Sequence, residues 1–295
     1  MSHPPSPADF SGLWIPLVTP LRGGQVDHDA LAALCRRLAA QGIAGFVVCG
    51  STGEAAALDE AEQAAVLETV AAAAPAVPRV MGLSGQHMGR MLERVRRFGP
   101  GSVAGLLVSA PSYIRPSQAG LLAWFEAIAD ASAVPVLLYD IPYRTGVTIA
   151  PDTLLALAAH PRIVAVKDCG GDAGKSRALI ADGRLQVLAG EDAQVFATLA
   201  EGGAGAIAAS AHLHTARWAR MVALLREGRL AEARRLWQPL QPLVDALFAE
   251  PNPGPLKALL AQQGEMANEL RAPMTCASEA LARRLAGLLA RVPVQ

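Results

Sequence analysis

One lysine, Lys167, stands at the end of an apolar run, where a basic residue is unexpected. It follows Ile163-Val164-Ala165-Val166, and only three of the 26 basic residues in the chain are lysines. Burial disfavours the charged form of an amine, so a lysine in this setting can attack a carbonyl carbon and form a Schiff base. The alternative is a strand-end lysine that reaches solvent or pairs with Asp168.

The tyrosines also lie at or after the ends of apolar runs, as Lys167 does. There are three, Tyr113, Tyr139 and Tyr143, and all follow two successive apolar runs. Formation of a Schiff base requires protons to move at nitrogen and at oxygen, and a phenol at the end of a strand can carry them. Aromatic packing is the alternative role.

Two further groups could bind carboxylates. The turn Gly50-Ser51-Thr52-Gly53 offers hydroxyls and backbone N–H groups to a small anion. Arg144, after Pro142, offers a planar fork to a second carboxylate, although a surface ion pair is the commoner use of an arginine. His212 and His214 could bind a metal only with a third ligand, which no spacing supplies, so we expect no metal site.

Eight short apolar runs can position these side chains. They are Leu13–Val18, Gly45–Cys49, Arg79–Leu83, Gly105–Ser109, Pro135–Tyr139, Ile163–Lys167, Leu185–Ala189 and Gly205–Ala209. Each is nearly continuous, as is typical of strands buried on both faces of a parallel sheet, and segments with helical spacing separate them. This alternation predicts an α/β fold, a (β/α)8 TIM barrel, with catalytic residues at the carboxyl ends of the strands. A doubly wound sheet is the alternative, but the glycine-rich segment at 203–208 leads into a run instead of following one.

The strand pattern stops near residue 230. We therefore expect a catalytic barrel over residues 1–230 and a helical C-terminal domain over 231–295. Helical spacing continues over Ala231–Ala249, Pro255–Gly264 and Ser278–Arg291. A domain of this size suits a supporting or oligomeric role.

Composition excludes several functional classes. Lys+Arg 26 balance Asp+Glu 26, so we expect no binding to nucleic acid or to an anionic membrane surface. No stretch reaches the roughly 18–20 continuous apolar residues of a membrane span. The four cysteines are scattered, and the polar, proline-rich start Met1–Pro7 does not resemble a secretory signal, so we expect a cytoplasmic protein.

Taken together, the motifs resemble a known family. Gly50–Glu54, Tyr139-Asp140-Ile141-Pro142 with Arg144, and Lys167 at these spacings are similar to the dihydrodipicolinate synthase / N-acetylneuraminate lyase family. The similarity extends from Ile15–Pro20 to Arg271–Met274, nearly the whole chain. It implies a pyruvate-dependent class I aldolase that needs no cofactor, on a (β/α)8 barrel with C-terminal helices.

The resemblance also implies roles for the pyruvate-binding residues. Lys167 would form the imine with pyruvate, and Tyr139 would be the proton shuttle beside it. Ser51 would replace the relay threonine of the family, and Tyr113 would complete the relay from a neighbouring subunit. Such a relay needs at least a dimer, and the family suggests a homotetramer built from tight dimers.

The remaining implied roles concern substrate binding. Thr52 with Gly53 would bind the carboxylate of pyruvate, and Arg144 would bind the carboxylate of the incoming aldehyde. Gly190 and Ile207 would line the pocket through their backbones. All of these substrates are small molecules.

The resemblance leaves the second substrate open within the family. Arg144 favours the synthase branch, which condenses pyruvate with aspartate 4-semialdehyde in lysine biosynthesis. Ser51, Asp140 and Tyr143 depart from the synthase pattern and lean towards sibling lyases, aldolases or dehydratases that act on sugar acids such as N-acetylneuraminate. A silent pyruvate-binding paralogue is the third possibility.

We expect feedback inhibition by lysine to be weak. At the positions that bind lysine in sensitive synthases, the histidines, the acidic anchor and the stacked tyrosine of the family are missing. The residues found there are Ala55, Ala56, Glu60, Gln63, Gln86, Arg90 and Ser112. Activity assays with added lysine test this, and strong inhibition at sub-millimolar lysine would contradict it.

Overall fold

The computed structural model describes residues 8–293, so the polar start Met1–Pro7 and the last two residues lie outside it. Eight parallel strands close into a barrel, in which each strand pairs with the next and the last pairs with the first. They are β1 (Gly12–Pro16), β2 (Gly45–Val48), β3 (Arg79–Leu83), β4 (Gly105–Ser109), β5 (Val136–Asp140), β6 (Ile163–Asp168), β7 (Gln186–Ala189) and β8 (Gly205–Ile207). The predicted barrel is confirmed.

Helices follow the strands and cover the barrel. They are α1 (His28–Ala39), α2 (Glu60–Ala73), α3 (Met88–Val95), α4 (Gln118–Ala131), α5 (Pro142–Thr145), α6 (Pro151–Leu157), α7 (Ala173–Asp182), α8 (Val195–Ala200) and α9 (Thr215–Arg226). A small antiparallel hairpin, Leu21–Arg22 with Gln25–Val26, follows β1. Among residues 8–293, no helix is long and apolar enough to cross a membrane.

The strands are apolar on both faces because each face packs against a different layer. Alternate residues of β5 show this: Leu137 and Tyr139 face the barrel interior, while Val136 and Leu138 pack beneath the helices. The amino end of the interior is closed by Trp14, which packs against Phe10 at 5.5 Å between ring centroids. A Cβ on Gly45 would lie 2.2 Å from the Trp14 ring, so only glycine fits there.

The chain ends in four further helices, α10 (Leu230–Trp237), α11 (Gln241–Leu247), α12 (Gly254–Gln262) and α13 (Glu279–Leu289). The segment Ala231–Ala249, which has one helical pattern, folds as two helices. Pro242 lies in the first turn of α11, where a missing N–H costs nothing. In α10, Trp237 packs edge-to-face on Trp218 of α9, with ring centroids 5.7 Å apart.

Two ion pairs attach the C-terminal segment to the barrel, one to the loop after β2 and one to α2. Lys257 on α12 donates to Glu54 at 2.5 Å, and both side chains are almost fully buried, at 0% and 3% exposed. Lys257 also donates to the carbonyl of Glu269 at 2.7 Å. Nearby, Arg271 forms a two-pronged pair with Glu62 at 2.5 and 2.7 Å. The C-terminal segment therefore holds the loop that begins with Ser51.

The buried Lys257–Glu54 pair makes a prediction about stability. We expect Lys257→Met to lower the free energy of unfolding by about 3–5 kcal/mol, because the Glu54 carboxylate then lies buried without a countercharge. The double variant Glu54→Gln with Lys257→Met should recover most of the loss. Urea unfolding followed by circular dichroism measures both.

The control is the exposed pair between Arg184 and Asp182, 2.7 Å apart. Arg184→Met should cost at most about 1 kcal/mol, because exposed pairs contribute little. If Lys257→Met were as stable as Arg184→Met, the buried pair would not hold the C-terminal helices.

Candidate active site

Lys167 and Tyr139 meet at the carboxyl end of the barrel. They occupy directly paired positions of β6 and β5. The Lys167 Nζ donates to the Tyr139 hydroxyl at 3.2 Å and lies 4.4 Å from the centre of the ring. Both are buried, at 6% and 7% exposed. The barrel therefore places an amine and a phenol in contact inside a largely apolar interior.

The environment of Tyr139 keeps its phenol protonated. Burial raises the pKa of Tyr139 well above its usual value of 10, and a hydrogen bond with Ser51 opposes this only in part. A protonated phenol between a hydroxyl and an amine can donate a proton on one side and accept one on the other. Tyr139 thus lies beside both the Lys167 amine and Ser51, a position from which its phenol can pass protons between them.

The turn after β2 supplies two hydroxyls. Residues Ser51–Gly53 form a single 3-10 turn, in which Thr52 is buried. Its hydroxyl accepts a hydrogen bond from Asn252 at 3.0 Å. Gly53 is also buried, but its carbonyl accepts from Thr19 at 2.8 Å and it does not line the cavity.

A narrow cleft collects most of the predicted site. Its lining includes Ser51, Thr52, Tyr139, Arg144, Lys167, Gly190 and Ile207. The cleft of about 20 Å³ adjoins a larger cavity of about 350 Å³, and Ser51, Tyr139, Arg144 and Asn252 line both. The two spaces therefore meet at the Tyr139 side chain.

Arg144 projects at the mouth of this cleft. It lies in α5, directly after β5, and its guanidinium is 5.7 Å from the centre of the Tyr143 ring. Tyr143 is 65% exposed, so this contact forms at the surface of the cleft. Within the described residues, no carboxylate pairs with Arg144. Its charge is available for a ligand.

Two acidic residues after β7 complete the cleft. Both Asp192 oxygens accept backbone N–H groups, from Ala209 at 3.2 Å and Ser210 at 2.5 Å. Burial raises the pKa of Asp192 to about 6, against the opposing effects of these hydrogen bonds and of Lys167. In the part of the chain that is described, the buried Oε1 of Glu191 has no hydrogen-bond partner.

Tyr113 lies outside the site of its own chain. It is 89% exposed in the loop after β4, with a positive φ of 74°. The residue before it, Ser112, lines the larger cavity. The structure thus brings together seven of the nine predicted residues and leaves Tyr113 and Gly53 off the walls of the cleft.

His212, one of the two histidines considered as metal ligands, binds backbone groups. His212 is fully buried, and its Nε2 accepts from the Val18 amide at 3.3 Å while its Nδ1 contacts the Ala209 carbonyl at 2.8 Å. Burial lowers the pKa of His212 to about 4, so the ring is neutral near pH 7. No group of three metal-binding side chains occurs between residues 8 and 293.

Three polar residues of the cleft, Asn252, Glu191 and Asp192, were assigned no role from the sequence. Asn252 comes from the C-terminal segment, and no local pattern marks it. Glu191 and Asp192 could have been found, because they directly follow the strand that ends before Gly190.

Comparison with known proteins gives one consistent result. Residues 9–291 match the model of the dihydrodipicolinate synthetase family. The chain is 34% identical over 280 residues to 4-hydroxy-tetrahydrodipicolinate synthase 2 of Clostridium acetobutylicum. The aligned region covers 94% of this chain and 98% of the relative. The solved 4-hydroxy-tetrahydrodipicolinate synthase of Methylacidiphilum fumariolicum SolV superposes with a TM-score of 0.93 at 32% identity, over 96% of both chains. A structure described as the first monomeric dihydrodipicolinate synthase variant superposes with a TM-score of 0.92 at 28% identity, also over 96% of both chains.

Proposed function

This chain belongs to the dihydrodipicolinate synthetase family, and we propose that it condenses pyruvate with aspartate 4-semialdehyde to form 4-hydroxy-tetrahydrodipicolinate, a step of lysine biosynthesis. The observation that carries this proposal is the contact between the Lys167 amine and the Tyr139 phenol at the mouth of the barrel. It provides a nucleophile and a proton carrier in one buried place. The enzyme is a class I, Schiff-base lyase.

In the first half of the reaction, pyruvate becomes an imine. The Thr52 hydroxyl and the turn that ends at Gly53 bind its carboxylate, and the Lys167 amine adds to its keto carbon. Tyr139 donates a proton to the departing oxygen, so one water leaves as the imine forms. The Ser51 hydroxyl returns a proton to Tyr139.

In the second half, loss of a proton from the methyl carbon of the imine gives an enamine. Arg144 binds the carboxylate of aspartate 4-semialdehyde at the cleft mouth, so that the aldehyde carbon faces the enamine. A carbon–carbon bond forms, and the aldehyde oxygen takes up a proton. The amino group of the adduct then displaces Lys167 from the imine carbon, which closes the ring and frees the enzyme.

We infer that Tyr113 acts in the site of a second copy of the chain. Its side chain is 89% exposed, beside Ile114 at 55%, a costly arrangement for an isolated molecule. The larger cavity beside Ser51 and Tyr139 is mostly apolar and offers a place for a phenol from outside. The family suggests a homotetramer of tight dimers, and this proposal requires at least the dimer.

We also place the reaction in the cytoplasm. All four cysteines are free thiols, and three of them, Cys35, Cys49 and Cys169, are buried. Such use of cysteine is typical of reducing compartments.

The proposed reaction is tested by turnover. Purified protein should condense pyruvate with aspartate 4-semialdehyde at about 1–100 s⁻¹, an ordinary enzymatic rate, in an assay coupled to a reductase that consumes the product. Lys167→Ala should abolish turnover, because none of the other described residues that line the cleft is a lysine. Arg144→Gln should still form the imine, trapped with borohydride, but lose about 10- to 100-fold in kcat/KM for the aldehyde.

Three outcomes contradict parts of this proposal. Negligible turnover with intact trapping by pyruvate would move the function to a sibling aldolase that acts on a sugar acid. No trapping at all would indicate a silent paralogue. Persistent trapping in folded Lys167→Ala would exclude Lys167 as the nucleophile.

The role of Tyr113 is tested by mixing chains. Tyr113→Ala should lower kcat by about 100-fold or more, because a proton carrier is lost. Co-expression with Lys167→Ala should restore activity, since a mixed dimer contains one site with an intact Lys167 and an intact Tyr113 from the partner. Mixed chains no more active than either parent, or a fully active Tyr113→Ala, would contradict action between subunits.

A further inference from the structure

Three charged side chains meet behind the reactive pair, on the outer face of the sheet. Asp140 follows Tyr139 in β5, Asp168 follows Lys167 in β6, and Lys175 of α7 binds both carboxylates. The Nζ of Lys175 lies 2.8 Å from Asp168, and the three side chains are 1–5% exposed. We refer to Asp140, Lys175 and Asp168 as the charge clamp.

Every oxygen of the clamp has a partner. The second oxygen of Asp140 accepts the Ile149 amide at 3.2 Å, and the second oxygen of Asp168 accepts the Ser176 hydroxyl at 2.6 Å. The Gly170 amide also donates to Asp168 at 2.8 Å. A Cβ on Gly170 would lie 2.2 Å from the Lys175 Nζ, so glycine leaves the room that the clamp needs.

The clamp lies beyond an irregularity in the pairing of β5 with β6, which falls between Val136 and Leu137 near the start of β5. Val136 pairs with Ile163, but the next residue, Leu137, pairs with Ala165, so β6 contains one extra residue at this point. Without this irregularity, Tyr139 would lie opposite Val166 instead of Lys167. A shift of one residue turns a side chain to the other face of the sheet, so the reactive pair exists only in the shifted register.

The two acidic residues of the clamp are paired with each other only in the shifted register. Asp140 and Asp168 are directly paired, one position beyond Tyr139 and Lys167. A single ammonium group can bind both only when these two strand ends are level. Buried charges do not in general stabilise a fold more than apolar residues of the same size, so stability alone does not account for the clamp.

We propose that Asp140, Lys175 and Asp168 are positioning residues, which hold the ends of β5 and β6 level so that the Lys167 amine stays against the Tyr139 phenol. They do not touch the substrate. The proposal rests on the proposed function, because it concerns the step at Lys167. It applies to imine and enamine formation and not to binding of the aldehyde by Arg144.

The test uses a variant without the clamp and without unpaired charge: Asp140→Asn, Lys175→Met and Asp168→Asn together. Exchange of the methyl protons of pyruvate in D₂O, followed by NMR, reports on imine and enamine formation without the aldehyde. We expect this rate to fall at least about tenfold, because small misplacement of reacting groups is costly. The kcat/KM for the aldehyde should stay within about twofold of the unmodified protein, since this ratio reports on the half-reaction in which Arg144 binds the aldehyde.

A matched control separates positioning from loss of stability. Arg217 is another buried cation, and it donates to the Pro293 carbonyl at 2.8 Å, away from the cleft. Arg217→Met should unfold more easily and yet exchange pyruvate protons at the unmodified rate. If the triple variant does not fold, the pair Asp140→Asn and Asp140→Ala decides the question. The asparagine variant should stay within about threefold of the unmodified rate, because it preserves the shape, and the alanine variant should be slow.

The outcomes distinguish the two proposals. No exchange by the unmodified protein would overturn the proposed function and this inference with it. Normal exchange by the unmodified protein and equally fast exchange by the folded triple variant would overturn the clamp alone. Equal rates for the asparagine and alanine variants would do the same.

Discussion

The alignment of β5 with β6 is the constraint on which the site depends. Tyr139 and Lys167 are paired across these strands, and their 3.2 Å contact follows from that pairing. The closed barrel provides the rest: parallel strands bring Ser51, Arg144 and Gly190 to the same carboxyl edge, as in other barrels of this class.

The C-terminal helices contribute to the site as well as to the fold. Asn252 reaches Thr52 at 3.0 Å, and the buried Lys257–Glu54 pair holds the loop that carries Ser51 and Thr52. The turn Ser51–Gly53 is therefore supported from one side by the barrel and from the other by the C-terminal segment. This arrangement explains why the larger cavity has walls from both parts of the chain, including Pro253 and Met274.

Much of this organisation is visible in the sequence. Strands buried on two faces give continuous apolar runs, so all eight appeared in the pattern and only their ends differ by a few residues. β8, for example, ends at Ile207 because the amides of Ala209 and Ser210 turn towards Asp192. Lys167 was visible because a lysine at the end of such a run is conspicuous. The contacts of Asn252 with Thr52 and of Lys175 with Asp140 and Asp168 were not visible, since a periodic pattern does not show which side chains pair in the folded chain. Asp168 illustrates the point: it pairs with Lys175 and not with its neighbour Lys167.

The identity of the nucleophile is the central claim and can be measured directly. The chain has three lysines, of which Lys175 and Lys257 are buried in ion pairs and Lys167 contacts Tyr139. Incubation with pyruvate and borohydride, followed by digestion and mass spectrometry, identifies the lysine that carries the reduced adduct. We expect the adduct on Lys167 and on neither of the others. An adduct on Lys175 or Lys257, or none on any lysine, would contradict the account.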